Sequence, residues 1–199
     1  LQQEVGRAGN VIKANPEQSK HLETMTINLH GQDIDFVNLR SERYDTSSRI
    51  PVMQIGTPQE DAERRDLTIN SLFYNVNTGQ VEDFTGKGVQ DLQTMTLRTP
   101  LEPVKTFMDD PLRILRLLRF LSRYQGSKVD PAALEAMRQP DVQQALKQKV
   151  SNERVLTEWM KMFAGSQQTS ALRILHDTGL WQTLFGEHLK GTAPFTMDQ

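Results

Sequence analysis

The chain has 199 residues, 37% of them hydrophobic and 24% charged, which is an ordinary balance for a globular protein with one good core or two smaller ones. It contains no cysteine, which excludes disulfides, thiolate metal sites and cysteine nucleophiles, and charges interrupt every apolar stretch before it reaches membrane-spanning length. A formal net charge of −2 provides no long-range attraction for nucleic acid, so any RNA contact must come from a local basic patch.

Leu1 is not an initiator Met, and Leu1–Asn15 lacks the charged start and apolar run of a secretory signal. The chain reads as starting within a domain and stopping in the polar stretch Gly191–Gln199. Thr24–Leu29 and Ile34–Leu39 read as strands joined by His30-Gly31-Gln32-Asp33, a hairpin link built on Gly. Alternation sends Asp33 and Asp35 to one face and Ile34 and Phe36 to the other. Two acids on one strand face suit Mg²⁺, although such acids more often border a turn or a solvated face. Asp61–Asn75 reads as a helix that starts near Thr57 or Pro58 and is stopped by Asn77-Thr78-Gly79. Val81–Phe84 reads as a short strand, and Val89–Met95 as a short helix after Gly88.

Near Pro100 the chain turns helical. Pro111–Tyr124 carries Leu112, Ile114, Leu115, Leu117, Leu118 and Leu121 mostly on one side, with Arg113, Arg116 and Arg123 opposite and Arg119 at the margin. Pro111 suits the first turn, with Asp109 or Asp110 as the N-cap. Pro131–Met137, Asn152–Phe163 and Thr169–Asp177 read as further helices, with Ser151 opening the second and Gly179 closing the third. The fold class is α+β: a mixed first half, residues 1–99, and an all-helical second half, residues 100–199.

Three segments carry chemistry. Arg64-Arg65-Asp66 places two cations at a predicted helix start, where the dipole favours acids. Guanidinium groups clamp phosphate oxygens and an adjacent acceptor holds a ribose hydroxyl, so the triplet reads equally as a nucleotide site or a solvated helix end with an Arg–Asp pair. Asp110 and Arg113, three apart, are neighbours on a helix face. A carboxylate accepts from the exocyclic amino group of C or A and repels the carbonyl of G or U, while Arg donates to the ring acceptor. Without context, an N-cap with an intrahelical salt bridge is the simpler reading of that pair. The third segment is Asp33-Ile34-Asp35-Phe36.

In chain order these segments resemble class II CCA-adding tRNA nucleotidyltransferases and the related bacterial poly(A) polymerases, in the polymerase β superfamily. Arg64–Asn75 is similar to the family motif whose Arg-Arg-Asp triplet binds ribose and triphosphate. Val81–Leu92, with Asp83, Gly88 and Asp91, resembles the hinge between catalytic head and neck. Asp109–Arg113 falls where the family has the amino-acid template that pairs with CTP or ATP, and Ser151–Lys161, with Glu153, Arg154 and Glu158, looks like the helix supporting it. The runs His21–Arg40 and Leu97–Phe107 look most like the fungal and plant branch. The match spans at least His21 to Lys161.

The resemblance implies the rest of a nucleotidyltransferase head followed by a helical neck and the start of a body. It implies nucleotide-binding roles for Arg64, Arg65, Asp66, Asn70, Asp110, Arg113 and Arg116, with Arg116 and Arg123 also available to RNA phosphates or neck packing. By alignment of the Leu39-Arg40 ending, Asp35 corresponds to the third metal carboxylate, and Asp33 to a turn residue. The implied cofactor is Mg²⁺, and the implied partners are the tRNA 3′ end, CTP and ATP. The family's Gly-Gly turn and Asp-x-Asp pair have no match upstream of His21; Gly6-Arg7-Ala8-Gly9 is a poor imitation. A two-metal site would therefore need residues outside this chain, supplied by a longer protein or a second chain. The family context implies a cytoplasmic enzyme, with nuclear and mitochondrial forms in eukaryotes. His21, His30, His176 and His188 show no ligand spacing, and Trp159 and Trp181 read as packing residues.

Overall fold

The computed structural model describes residues 10–12, 24–43 and 52–186, and its described elements are α+β. The chain divides into two compact units, Leu1–Arg65 with Ser71–Gly86, and Asp66–Asn70 with Lys87–Gln199. His21, His188 and Gly6–Gly9 lie outside the described residues.

The first unit is built from hairpins. Strands β1 (Asn10–Ile12), β2 (Thr24–Leu29) and β3 (Gln32–Val37) form an antiparallel sheet in that order. The β2–β3 link is two residues long, with His30 at φ 51° and Gly31 at φ 82°. Two successive left-handed residues make the tight turn whose twist matches a hairpin. The second strand therefore starts at Gln32, two residues earlier than the alternation of its apolar residues indicates. β4 (Arg40–Arg43) pairs antiparallel with β5 (Val52–Ile55). Among the described residues of this unit only Ile27 and Ala62 are fully buried hydrophobics, and Ile34, Phe36 and Val37 remain substantially exposed.

Helix α1 (Pro58–Glu63) opens with a capping box: Thr57 Oγ1 accepts from Glu60 N at 3.3 Å and Glu60 Oε2 accepts from Thr57 N at 2.8 Å. The long helix expected over Asp61–Asn75 does not form. The chain leaves α1 after Glu63, makes a 3₁₀ turn at Thr68–Asn70, and enters β6 (Leu72–Asn75), which pairs with β7 (Gln80–Asp83). Two competing acceptors explain the break. Asp66 Oδ1 takes the Leu67 N–H at 2.9 Å, and the Arg98 carbonyl takes the Thr68 N–H at 2.9 Å, so neither donates to the carbonyl four residues back. The aromatic pair Phe73-Tyr74 and the turn at Asn75–Gly79, with Gly79 at φ 68°, were the local hairpin signals.

The second unit is a helical body around one core. It comprises α2 (Gly88–Gln93), α3 (Pro103–Asp109), α4 (Leu112–Arg123), α5 (Pro131–Arg138), α6 (Pro140–Lys149), α7 (Asn152–Phe163), α8 (Gln168–Asp177) and α9 (Leu180–Phe185), with a short parallel pair β8 (Thr96–Leu97) and β9 (Lys128–Val129). α3, α6 and α9 were not evident from periodicity; each is ten residues or shorter, too short to show a clear stripe. α4 is central, packed on α3, α7 and α8, and its Leu112, Ile114, Leu115, Leu117, Leu118 and Leu121 are all buried. Its burial extends past the apolar stripe, because Arg113 and Ser122 are buried too. Trp159 packs edge-on to Phe185 at 4.9 Å and against Trp181 at 5.9 Å, the packing role expected of both tryptophans.

Candidate nucleotide-binding site

In the first unit the two arginines of the triplet converge on one carboxylate, Asp61, which lies three and four residues upstream. Arg64 Nη2 donates to Asp61 Oδ2 at 2.8 Å, and Arg65 donates to Oδ1 through Nε at 3.0 Å and Nη2 at 2.8 Å. The Arg40 N–H completes the set at 2.9 Å. Arg64 also reaches Glu42 at 3.2 Å, and Arg65 lies over the Phe73 ring at 5.0 Å. Asp61 escaped the sequence reading, although its i, i+3 and i, i+4 spacing to the two arginines was the available signal. It fixes both guanidinium groups near the end of α1, while Arg65 keeps about a third of its side chain exposed.

Burial alone would raise the Asp61 pKa. The Arg40 N–H and the Arg64 and Arg65 hydrogen bonds outweigh it and hold the carboxyl below its ordinary value. A depressed native pKa contributes stability that is fully present above the unfolded value of about 3.9 and is lost as pH falls through the native value. Asp61→Asn should therefore destabilise the protein near neutral pH and flatten the acid limb of its stability curve. Melting temperatures recorded from about pH 7 to about pH 2 check this. An equally steep loss below about pH 4 in both proteins would exclude Asp61 as its source.

Asp66 belongs to the second unit and has different partners. Its Oδ1 accepts from Leu67 N at 2.9 Å and Asn70 Nδ2 at 3.0 Å, and its Oδ2 accepts from Arg116 Nε and Nη2, both at 2.8 Å. An ionised carboxylate offers about four acceptor positions, so these donors fill it. A ribose hydroxyl reaching Asp66 would compete with Asn70 or Arg116. The structure thus brings two predicted residues, Asn70 and Arg116, onto the carboxylate of a third, Asp66.

Asp110 stands at the entrance to α4. Its Oδ1 accepts from Leu112 N at 3.2 Å, as expected of a cap, and its Oδ2 lies 3.6 Å from Arg154 Nη2 on α7. Arg113, expected on the polar side of α4, is buried and directs Nη1 toward the Thr106 carbonyl at 3.5 Å. Glu158, one turn along α7 from Arg154, is buried and pairs with Arg119 at 2.7 Å. α7 thus makes one charged contact to Asp110 and a second to Arg119, further along α4. A cavity of about 300 Å³ lies beside Leu112, Arg154, Thr157 and Glu158.

The remaining predicted residues are dispersed. Asp35 is exposed on β3, where the Thr26 hydroxyl donates to it at 2.7 Å, and Asp33 accepts from Asn28 at 2.7 Å, so both acids share the face that alternation assigned them. Asp83 caps a turn by accepting from the Thr85 N–H and hydroxyl. Gly88 is buried at the start of α2, and Asp91 is buried between the Thr68 hydroxyl at 2.8 Å and Arg98 at 3.1 Å. The run Asp83–Asp91 crosses from one unit to the other. Among the described residues, no group of three or more His, Asp or Glu is arranged to hold a metal, and no helix is long and apolar enough to cross a membrane.

Residues 2–98 match the poly(A) polymerase head domain, and residues 128–191 match the probable RNA- and SrmB-binding site of polymerase A. The chain is 50% identical over 177 residues to the mitochondrial CCA tRNA nucleotidyltransferase of Saccharomyces cerevisiae, covering 89% of this chain and 32% of that protein. It is 48% identical to a tRNA nucleotidyltransferase of Schizosaccharomyces pombe, covering 87% of this chain and 36% of the relative. The chain thus spans about a third of the length of these relatives. Its fold resembles the crystal structure of the Bacillus stearothermophilus CCA-adding enzyme in complex with CTP, with a TM-score of 0.72 at 28% identity over 89% of this chain and 40% of the other. The chain belongs to the family of class II CCA-adding tRNA nucleotidyltransferases and poly(A) polymerases.

Proposed function

We propose that the chain is part of a template-independent nucleotidyltransferase that adds CMP and AMP to the 3′ end of tRNA. The tRNA 3′ oxygen attacks the α-phosphorus of CTP or ATP. A new phosphodiester bond forms, the α–β phosphoanhydride bond breaks, and pyrophosphate leaves. The observation that supports this reading best is the setting of Asp110. Its carboxylate accepts from the Leu112 N–H at the start of α4, lies 3.6 Å from the Arg154 guanidinium, and keeps 28% of its side chain exposed. A fixed, part-exposed acceptor distinguishes the amino group of C and A from the carbonyl of U and G.

Arg113 would donate to the ring acceptor of the same base. Arg64 and Arg65 would face triphosphate, with Asp61 setting their orientation. Asp66 would take the ribose hydroxyl in exchange for a bond to Asn70 or Arg116, and Arg116, released, would gain a phosphate oxygen. Asp83, Gly88 and Asp91 would form the hinge. Two Mg²⁺ ions are the metals this chemistry takes. Of the described residues we assign only Asp35 to them, and one carboxylate does not make a two-metal cage.

The protein extended to the length of its relatives should lengthen a tRNA lacking CCA by C, C and A and then stop. A long A tail would assign the poly(A) polymerase activity instead, and no incorporation would refute both. The 199-residue chain alone should transfer nothing, because at most one metal carboxylate is assigned within it. Incorporation by the isolated chain would overturn that assignment. We infer a cytoplasmic location, with a mitochondrial form by analogy to the yeast relative's name.

A further inference from the structure

A second polar cavity, of about 320 Å³, opens in the helical unit between α2, β8 and β9. Gln90, Asp91, Thr94, Thr96, Arg98 and Lys128 line it, and Lys87 adds a third cation at its edge. Asp91 is its one lining carboxylate, and that group is already engaged by the Thr68 hydroxyl and by Arg98 Nε. Arg98 Nη1 is held by Asp130 at 2.7 Å. Among the described residues, Arg98 Nη2, the Lys128 ammonium and the Gln90 amide have no partner. Three donors thus line one pocket whose single carboxylate is already paired with a cation.

The backbone that carries Lys128 and the Arg98 side chain are held in place. Lys128 N donates to the Met95 carbonyl at 2.9 Å, and Asp130 N to the Leu97 carbonyl at 3.0 Å, which anchors β9 on β8. The double ion pair to Asp91 and Asp130 fixes Arg98. Ammonium, guanidinium and amide N–H groups gathered around one already paired carboxylate suit a tetrahedral oxyanion.

We propose that this pocket binds a phosphate group of the RNA strand, apart from the nucleotide site at Asp66 and Asp110. The inference rests on the RNA-directed reading above. The Thr68–Asp91 bond ties the pocket to the segment that carries Asp66, so a phosphate held by Lys128 and Arg98 would hold the strand beside the site that extends it. Free pyrophosphate offers the same chemistry, and the experiment separates the two sources.

A fluorescent RNA hairpin with a single-stranded 3′ end is titrated with the full-length protein in KCl from about 50 to about 200 mM. Lys128→Ala combined with Gln90→Ala should weaken binding about 3- to 10-fold at the lowest salt and reduce the slope of log affinity against log salt by about 1. Lys128→Arg should restore both. Lys128 is exposed, so the variants should melt at the parent temperature. An unchanged slope in the double variant overturns the proposal. So does loss of pyrophosphate binding, by calorimetry, with RNA affinity intact, because it assigns the pocket to the small anion. CTP binding measured in parallel should be the same in every variant. If CTP binds and the slope does not move, this subsite falls while the nucleotide reading stands.

Discussion

Replacing Arg119 with alanine is expected to destabilise the helical unit by about 3–5 kcal/mol, one of the largest effects of any single substitution in this chain. Arg119 and Glu158 retain only 11% and 6% of their side-chain exposure, and they meet at 2.7 Å between α4 and α7. Removing the cation leaves a carboxylate enclosed by the interface. Lys161 does not substitute for it, since its ammonium is 3.8 Å from the other Glu158 oxygen and half exposed. One feature draws the value toward the lower end: Arg119 Nε is buried without a hydrogen-bond partner among the described residues, which already costs the native state something. The check is the urea midpoint at unchanged slope, with Arg119→Met and Glu158→Leu combined as a second arm. The double variant should be more stable than either single one, because it leaves no lone charge. A loss below about 1 kcal/mol for Arg119→Ala would reduce the pair to the level of a surface contact. The same variant should also disturb the start of α4, since Arg154, one turn from Glu158, reaches Asp110.

Asp110→Ala in the full-length enzyme should let UTP and GTP compete with CTP and ATP, at about 1–3 kcal/mol of discrimination per lost base contact. The substitution removes the acceptor proposed to select an amino group, and no carboxylate then repels a carbonyl oxygen. It also removes the Leu112 N–H cap, which typically costs about 1 kcal/mol of stability. The two effects separate cleanly: lost capping lowers the melting point, whereas lost base reading changes the ratio of nucleotides incorporated. Asp110→Asn is the informative companion, since an amide can still cap the helix but presents a donor beside the acceptor. Unchanged preference for CTP and ATP in Asp110→Ala would leave Asp110 a helix cap paired with Arg154. Arg113→Ala should weaken CTP and ATP together and also destabilise the helix packing, because Arg113 is buried against α3.

Sequence alone determined the elements whose signals are local. The β2–β3 hairpin follows from strand alternation around a Gly, α7 from its bounding Ser151 and its helical period, and α4 from six apolar residues at helical spacing. The motif order from Arg64 to Lys161 was legible through the family resemblance, since residue type and spacing alone left Arg64–Asp66 balanced and favoured a cap with a salt bridge at Asp110–Arg113. What tertiary structure decided is which charges pair. The pairs of Arg64 and Arg65 with Asp61 lie within one helical turn, whereas Asp66 is held by Arg116, fifty positions downstream. The break after α1 has the same origin: the acceptor that draws off the Thr68 N–H is the carbonyl of Arg98, on a segment no local pattern connects to it. The burial of Arg113 likewise depends on α3, a short helix without a legible stripe. Spacing along a chain ranks possible partners within one turn or one hairpin. A choice among distant donors and acceptors is made only when packing removes them from water, where leaving a polar group unpaired costs more than any local preference.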